Sequence, residues 1–395
     1  MINKIVYYIC NVSIIALIVI SLIPFSTGLS NVVLGISIIC GIISYKKLEI
    51  SKKSKLLIIA YCSLLGSLLI AGIYNGTVPG KTISFVTWTL PFVSMILANH
   101  LYRIQSYIVC IVSISGALLS LIAIWESIGN NSMPRLVSIF SNANILANTL
   151  IQVLPFSIVG FMKIYKSYRI QAFIILITIL LNGYVLIHTY SRGGFAGFII
   201  GGVIACMLYG ILNRWNNTFA KITIIIGALC ISVLSYLAIN PSLWARNYDN
   251  ERLLIYKSSI NMWYDYPVFG VGLEQWKYYY KEQYIYPKAK EPNVSHPHNT
   301  FLYFLTGSGL IGALGYIIFN ILCVIYLIRN YLNDRNHIMY LAMLWVTLGI
   351  IIQGFVDLSM GHRFAIHLYM LLLVYITYID STYRINNELV SRHNQ

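Results

Sequence analysis

SHPHNTFLYFLTGSGLIGALGYIIFNILCV, residues 295–324, decides the architecture of this chain. Ser295-His296-Pro297-His298-Asn299-Thr300 is polar and turn-forming, and it runs straight into an apolar helix carrying Gly307, Gly309, Gly312 and Gly315. An uncharged helical run of about 18 or more residues is long enough to cross roughly 30 Å of hydrocarbon. The stretch therefore reads as a loop entering a membrane span, with a histidine at the edge. A histidine there sits beside lipid and titrates near neutral pH, which suits chemistry on a lipid-linked substrate.

The same pattern repeats outward along the chain. About twelve apolar runs are legible, near residues 5–25, 29–44, 56–74, 82–99, 106–128, 144–162, 170–189, 193–212, 221–239, 299–327, 338–357 and 363–380; the second is the shortest. The 395 residues are 58% hydrophobic and only 10% charged, where a soluble domain carries roughly 25% charge. The expected fold is an all-α integral membrane protein of about twelve transmembrane helices. Residues 1–239 are read as helices one to nine and 240–298 as a large outer loop with an interfacial helix. Residues 299–381 are read as the last three spans and 382–395 as a cytoplasmic tail.

Charge sets the expected orientation. With the N-terminus inside, the inner segments hold Lys46, Lys47, Lys52, Lys53, Lys55, Arg103, Lys163, Lys166, Arg169, Arg214, Lys221, Arg329, Arg335, Arg384 and Arg392. The short outer loops hold only Lys81, Arg135, Arg192 and Arg363. This is the positive-inside asymmetry, and it places both termini in the cytoplasm. The net charge of +15 is thus a topology signal, and no nucleic-acid module accompanies it. The first apolar run is too long for a cleaved signal peptide. The seven cysteines all fall inside predicted spans, so no disulfide framework is expected.

Ionisable residues are nearly absent from the middle of the spans, whereas transporters concentrate such groups, or broken helices, at the midplane. Polar residues gather instead at the outer ends. Ser191-Arg192-Gly193-Gly194 opens a span; Gly193, Gly197 and Gly201 repeat at a spacing that lets helices approach closely. Arg192 stands where helix N–H groups favour an anion, and its fork can grip a phosphate. In the outer loop, Arg246 lies upstream of Tyr248-Asp249-Asn250-Glu251-Arg252, and Arg252 opens a predicted loop helix that runs to Trp263 before Pro267 and Gly270. Asp249 and Glu251 are an acidic pair, but flanking arginines favour salt bridges over a metal. His296 and His298 have a spacing open to zinc, with His188 or His362 as further ligands; with no outer cysteine, the expectation is no metal and no cofactor. The loop's aromatic residues, Trp276 among them, are either an interfacial belt or a platform for sugar rings.

Together these residues resemble the bacterial O-antigen ligase and O-antigen polymerase superfamily. The ligase pattern of His, then Asn/Ser/Gln, nine residues, Gly, two residues, and Gly/Thr/Tyr is met by His298, Asn299, Gly309 and Gly312. The family's span-opening Ser-Arg-Gly is met by Ser191-Arg192-Gly193. Its loop arginine upstream of Asp-x-Pro-x-x-Gly-x-Gly is met by Arg252 and the run Asp265 to Gly272. Phe140-Ser141-Asn142-Ala143-Asn144 resembles a further family segment, with Ala143 where proline is common.

The resemblance implies a GT-C-like fold, and glycosyl transfer from undecaprenyl diphosphate at the outer, periplasmic face of the inner membrane. His298, Arg192 and Arg252 are implied as catalytic, with His298 either the general base or a hydrogen-bond donor to the diphosphate. Arg246, Asn299, Thr300, Asn144 and Trp276 are implied as contacts for diphosphate or sugar. The donor is a lipid-linked glycan and the acceptor is lipid A-core or a second lipid-linked glycan. Ligase and polymerase share donor, fold and motifs; the His298–Gly312 pattern tilts toward ligase. A transporter of lipid-linked sugars is the reading from another class.

Overall fold

The computed structural model describes residues 2–23, 26–43, 54–97, 105–128, 135–140, 142–213 and 247–376. Among them every regular element is helical. Seven helices are long and apolar enough to cross a membrane, and four shorter apolar helices accompany them. The chain is thus an all-helical, multi-pass membrane protein. The predicted span near 221–239, Cys230 and Arg246 lie outside the described residues.

The helices are α1 (Ile2–Leu22), α2 (Thr27–Ile43), α3 (Ser54–Tyr74), α4 (Ile83–Thr89), α5 (Pro91–Leu97), α6 (Gln105–Ile128), α7 (Ala143–Ile164), α8 (Arg169–His188), α9 (Arg192–Leu212), α10 (Asn247–Asp265), α11 (Thr300–Asn333), α12 (Met339–Gly354) and α13 (Arg363–Ile376). The expected span near 82–99 is present as one membrane-crossing segment over Val78–Leu97, with local irregularities. A π-turn at Val78–Thr82 contains Pro79 and a non-helical Gly80, and a second irregularity falls at Leu90, before Pro91. Proline removes the N–H that would continue the ladder.

α7 is the buried centre, packed on α6, α8, α9 and α12. Its polar side chains bond to neighbours: Ser157 meets Ser113 at 2.7 Å, and Gln152 Nε2 donates to Asn148 Oδ1 at 2.9 Å. In a bundle without water such bonds satisfy groups that lipid cannot. The glycine stripe of α9 lies on α12. A Cβ at Gly197 would stand 2.4 Å from the Gly349 carbonyl oxygen, and one at Gly201 2.9 Å from that of Trp345. These glycines let two helix backbones touch, as their spacing predicts.

Gly309 plays a different part. α11 is kinked there, with φ 63° and ψ −164°, a conformation open essentially to glycine alone. The break lies about 14 Å along the helix from Thr300, and the loop after α10 fills it. Leu310 N–H donates to the Pro267 carbonyl at 2.8 Å and Ile311 N–H to that of Val268 at 3.3 Å. In return Val271 and Gly272 N–H donate to the Thr306 and Gly307 carbonyls, both at 2.9 Å. Backbone groups released by the kink are thereby paired, as membrane depth requires. The Asp265–Gly272 run and the His298–Gly312 run, separate motifs in sequence, are one interlocked unit.

α10 starts at Asn247, so Arg252 sits in its second turn rather than at its opening. The loop has its own small core of Ile255, Met262, Val271, Trp276 and Tyr280. Trp276 is fully buried and stacks on Tyr280 at 4.9 Å, so its faces meet protein. Glu251 accepts the Lys290 N–H at 2.8 Å, and Asp265 accepts the Tyr284 hydroxyl at 2.6 Å. These carboxylates tie the loop together.

A histidine-aspartate candidate active site

The starts of α7, α9 and α11 meet at one end of the bundle, where α8 and α12 finish. Each starting helix is capped by a residue of one family-like motif. Asn142 Oδ1 accepts the Asn144 N–H at 2.8 Å, Ser191 Oγ the Gly194 N–H at 3.4 Å, and Asn299 Oδ1 the Leu302 N–H at 2.9 Å. The motifs therefore mark helix N-termini, whose free N–H groups and dipoles favour anions. Tyr190 and His298, each directly before its cap, have left-handed backbones at φ 48°. Such strain costs about 1–3 kcal/mol and persists where surroundings fix it.

His298 meets Asp357, from the turn between α12 and α13. His298 Nδ1 lies 3.2 Å from Asp357 Oδ1, and His296 Nε2 lies 3.6 Å from the same oxygen. Leu358 N–H also donates to it at 2.8 Å. Burial pushes the Asp357 carboxyl up, but the His296 and His298 hydrogen bonds outweigh it and hold the group well below the usual carboxylate range. Asp357 is therefore ionised. Its bond to Nδ1 selects the tautomer in which His298 Nε2 is the basic nitrogen.

Asn299 and Thr300 hold the Asp357 turn in place. Asn299 Nδ2 donates to the Phe355 carbonyl at 3.0 Å. Thr300 Oγ1 donates to the Asp357 carbonyl at 3.0 Å and accepts the Ser359 N–H at 2.9 Å. Tyr256 of α10 donates to the His298 carbonyl at 3.0 Å and contacts that of Phe355 at 3.3 Å. The group that orients His298 is thus Asp357, while Asn299 and Thr300 are engaged with the backbone. Thr300→Val removes both hydrogen bonds of the bridging hydroxyl and leaves the buried Ser359 N–H and Asp357 carbonyl only their own contact at 3.2 Å. The expected cost is about 1–3 kcal/mol of stability, measured as a lower melting temperature, together with reduced activity.

Arg192, half-buried, is the first residue of α9. A Cβ on the adjacent Gly193 would lie 2.3 Å from Val356 Cγ2, which brings this helix start against the residue preceding Asp357. Arg252 lies four residues before Tyr256, on the same face of α10. Both arginines thus belong to elements that touch the His298–Asp357 unit. Asn144 Oδ1 accepts from Arg135 Nη2 at 2.9 Å, and Arg135 Nε also donates to the Thr189 carbonyl at 2.7 Å. Arg135 thereby ties the start of α7 to the turn before Arg192.

His296, His298 and Asp357 place three potential metal-ligand atoms within 4.8 Å of one another. Neither His188 nor His362 belongs to this trio. The Asp357 oxygen facing both imidazoles lies 3.2 Å from His298 Nδ1 and 3.6 Å from His296 Nε2, and it accepts the Leu358 N–H at 2.8 Å.

Beside this unit lies a cavity of about 240 Å³, bordered by His296 and Asp357 and extending past Asn144, Gln353 and Trp88. The fold and site define a multi-pass membrane protein with a polar, titratable centre at one end of its helices. Residues 173–317 match the family model of O-antigen ligase, which supports membership of the chain in that family. The matched stretch includes Arg192, Arg252 and the whole His298–Gly312 run; Asp357 lies beyond it. No curated protein matches the chain.

Asp357 was not among the residues singled out from sequence. It lies 59 positions from His298, so no local spacing links them. The available signal was a lone carboxylate between Val356 and Leu358, in a largely apolar stretch; such a group at a membrane edge carries function by default.

Proposed function

We propose that the chain moves a glycan from undecaprenyl diphosphate onto an acceptor hydroxyl at the outer face of the inner membrane, as an O-antigen ligase with lipid A-core as acceptor. The observation that carries this reading is the His298–Asp357 pair at 3.2 Å, set among helix N-termini within or beside the family-matched segment. The acceptor hydroxyl gives its proton to His298 Nε2 as its oxygen bonds to the anomeric carbon. The bond from that carbon to the diphosphate breaks, and the electron pair leaves with the lipid diphosphate. Asp357 stabilises the imidazolium so formed. Arg192 and Arg252 neutralise the charge growing on the leaving group. In-line displacement inverts the anomeric centre.

The charge of the leaving group is met here by guanidinium groups and helix dipoles, so the proposed reaction needs no metal. Transfer in purified protein is expected to persist in EDTA; loss in EDTA with recovery on adding a divalent cation would instead assign the His296–His298–Asp357 trio to a metal. Arg192→Lys is expected to lower transfer about tenfold or more, because a point charge does not replace a bidentate fork. Arg252→Ala should do at least as much, since it removes the charge outright. Both are read as initial rates with labelled donor.

A strain lacking the protein separates ligase from polymerase. Surface lipopolysaccharide without O-antigen, with long lipid-linked polymer accumulating, supports the ligase. Single repeats attached to lipid A-core would assign polymerase. The transporter reading is disfavoured by the kink at Gly309, because its freed carbonyls accept loop N–H groups and so do not present an ion site.

A further inference from the structure

The cavity beside His296 and Asp357 differs in chemistry from the arginine-bearing elements. Its wall carries the amides Asn142, Asn144, Asn148 and Gln353, faced by Trp88 and Tyr303. Gln353 is 1% exposed. Its Nε2 donates to the Asn144 carbonyl at 3.0 Å, which fixes the amide's orientation. Its Oε1 is then buried, has no partner, and belongs to a residue lining the cavity. His362 lines the same cavity, and its buried Nδ1 has no partner either. Burial lowers the His362 pKa to about 4, so the ring is neutral at physiological pH. Asn148, by contrast, is fully engaged: it donates to the Ser359 carbonyl at 2.9 Å and accepts from Gln152.

An unpaired buried acceptor is costly, so a cavity wall that keeps one selects a ligand that supplies a donor. A phosphate would meet Lys81, which also lines the cavity, but it would face the Asp357 carboxylate as well and leave Gln353 Oε1 without a donor. A lipid chain would leave the amides unpaired. A sugar ring suits both kinds of wall, with hydroxyl donors for Gln353 and His362 and an apolar C–H face for Trp88. The volume, about 240 Å³, falls below the roughly 300–1,000 Å³ of pockets for drug-sized ligands, which fits a terminal sugar better than a chain.

We propose that this cavity is the subsite for the acceptor's terminal sugar, with Gln353 Oε1 as its specificity-determining hydrogen-bond acceptor and Trp88 as its stacking face. The assignment to the acceptor rests on the glycosyl-transfer reading above. The sugar would lie beside His296 and Asp357, the carboxylate that meets His298 Nδ1 at 3.2 Å.

The test is saturation-transfer NMR on the purified full-length protein in detergent, with a panel of methyl glycosides of hexoses, heptoses and N-acetylated amino sugars. At least one glycoside is expected to bind. Gln353→Met should weaken that binding about tenfold, the loss of one well-placed hydrogen bond. His362→Phe, which keeps the ring's bulk, and Trp88→Ala should each weaken it as well. Melting curves confirm that each variant is folded. Absence of binding by every glycoside, or binding to folded Gln353→Met and His362→Phe equal to wild type, overturns the proposal. Arg252→Ala separates the two readings: it should bind the glycoside as wild type does yet fail to transfer. Glycoside binding without any transfer by the wild-type protein would overturn the acceptor assignment and the transferase reading together, while leaving the sugar site in place.

Discussion

His298→Ala is expected to lower glycan transfer by about 10²–10⁴-fold, the usual contribution of a positioned general base, while the folded protein persists. The side chain is part-exposed and meets Asp357 through one nitrogen. The contacts that fix the backbone at this point, from Tyr256 and Asn299, do not use its ring. Removing the imidazole therefore removes the base and leaves the frame. The measurement is single-turnover transfer from labelled lipid-linked glycan, with melting temperature as the control. Activity within twofold of wild type would eliminate the role of base. Asp357→Asn sharpens the point. It keeps the shape but loses the charge that stabilises the imidazolium, and an amide can present an N–H to Nδ1 and so stabilise the wrong tautomer. The loss should appear in the rate of the chemical step with donor affinity little changed. If Asp357→Asn acts only on donor affinity, Asp357 is a binding residue and not the orienter of His298.

Gly309→Val should be the most damaging single change to the fold at this end. The backbone there, at φ 63° and ψ −164°, is strained for any residue with a Cβ, at about 1–3 kcal/mol. That Cβ would also lie 2.2 Å from the Val268 carbonyl, and overpacking of this kind adds roughly 1–3 kcal/mol. The loop carrying Arg252 would be pushed off α11, so transfer should be lost along with protection of the Pro267–Gly272 segment from protease. Gly183→Ala is the matched control, because a Cβ there meets nothing within 4 Å; it should melt as wild type does. A Gly309→Val protein with normal melting and normal loop protection would mean that the interlock contributes little.

Much of this was legible residue by residue. Apolar runs gave the helices because a lipid-crossing helix needs only composition and length, both local properties. Asn142, Ser191 and Asn299 could be read as helix starts because capping is decided within three residues. The breaks were less visible. Gly309 looks in sequence like Gly197 and Gly201, since each is a small residue in an apolar helix. Only their surroundings separate a helix–helix contact from a kink that receives a loop. Trp276 illustrates the same difficulty: an aromatic residue in a polar loop suits a sugar platform, yet the loop folds over it and buries it.

By itself, the sequence determined a multi-span helical membrane protein, the helix ends at which polar residues collect, and the histidine and arginines of the family pattern. These follow from hydrophobic length, local capping and short-range spacing. The tertiary structure alone decided which distant groups meet. It brought Asp357 to His298 across 59 residues, locked Pro267–Gly272 into the kink at Gly309, and turned Gln353 toward a cavity with its oxygen unpaired. Those pairings depend on how α10, α11 and α12 pack, and packing is a property of the whole chain that no short window of sequence contains.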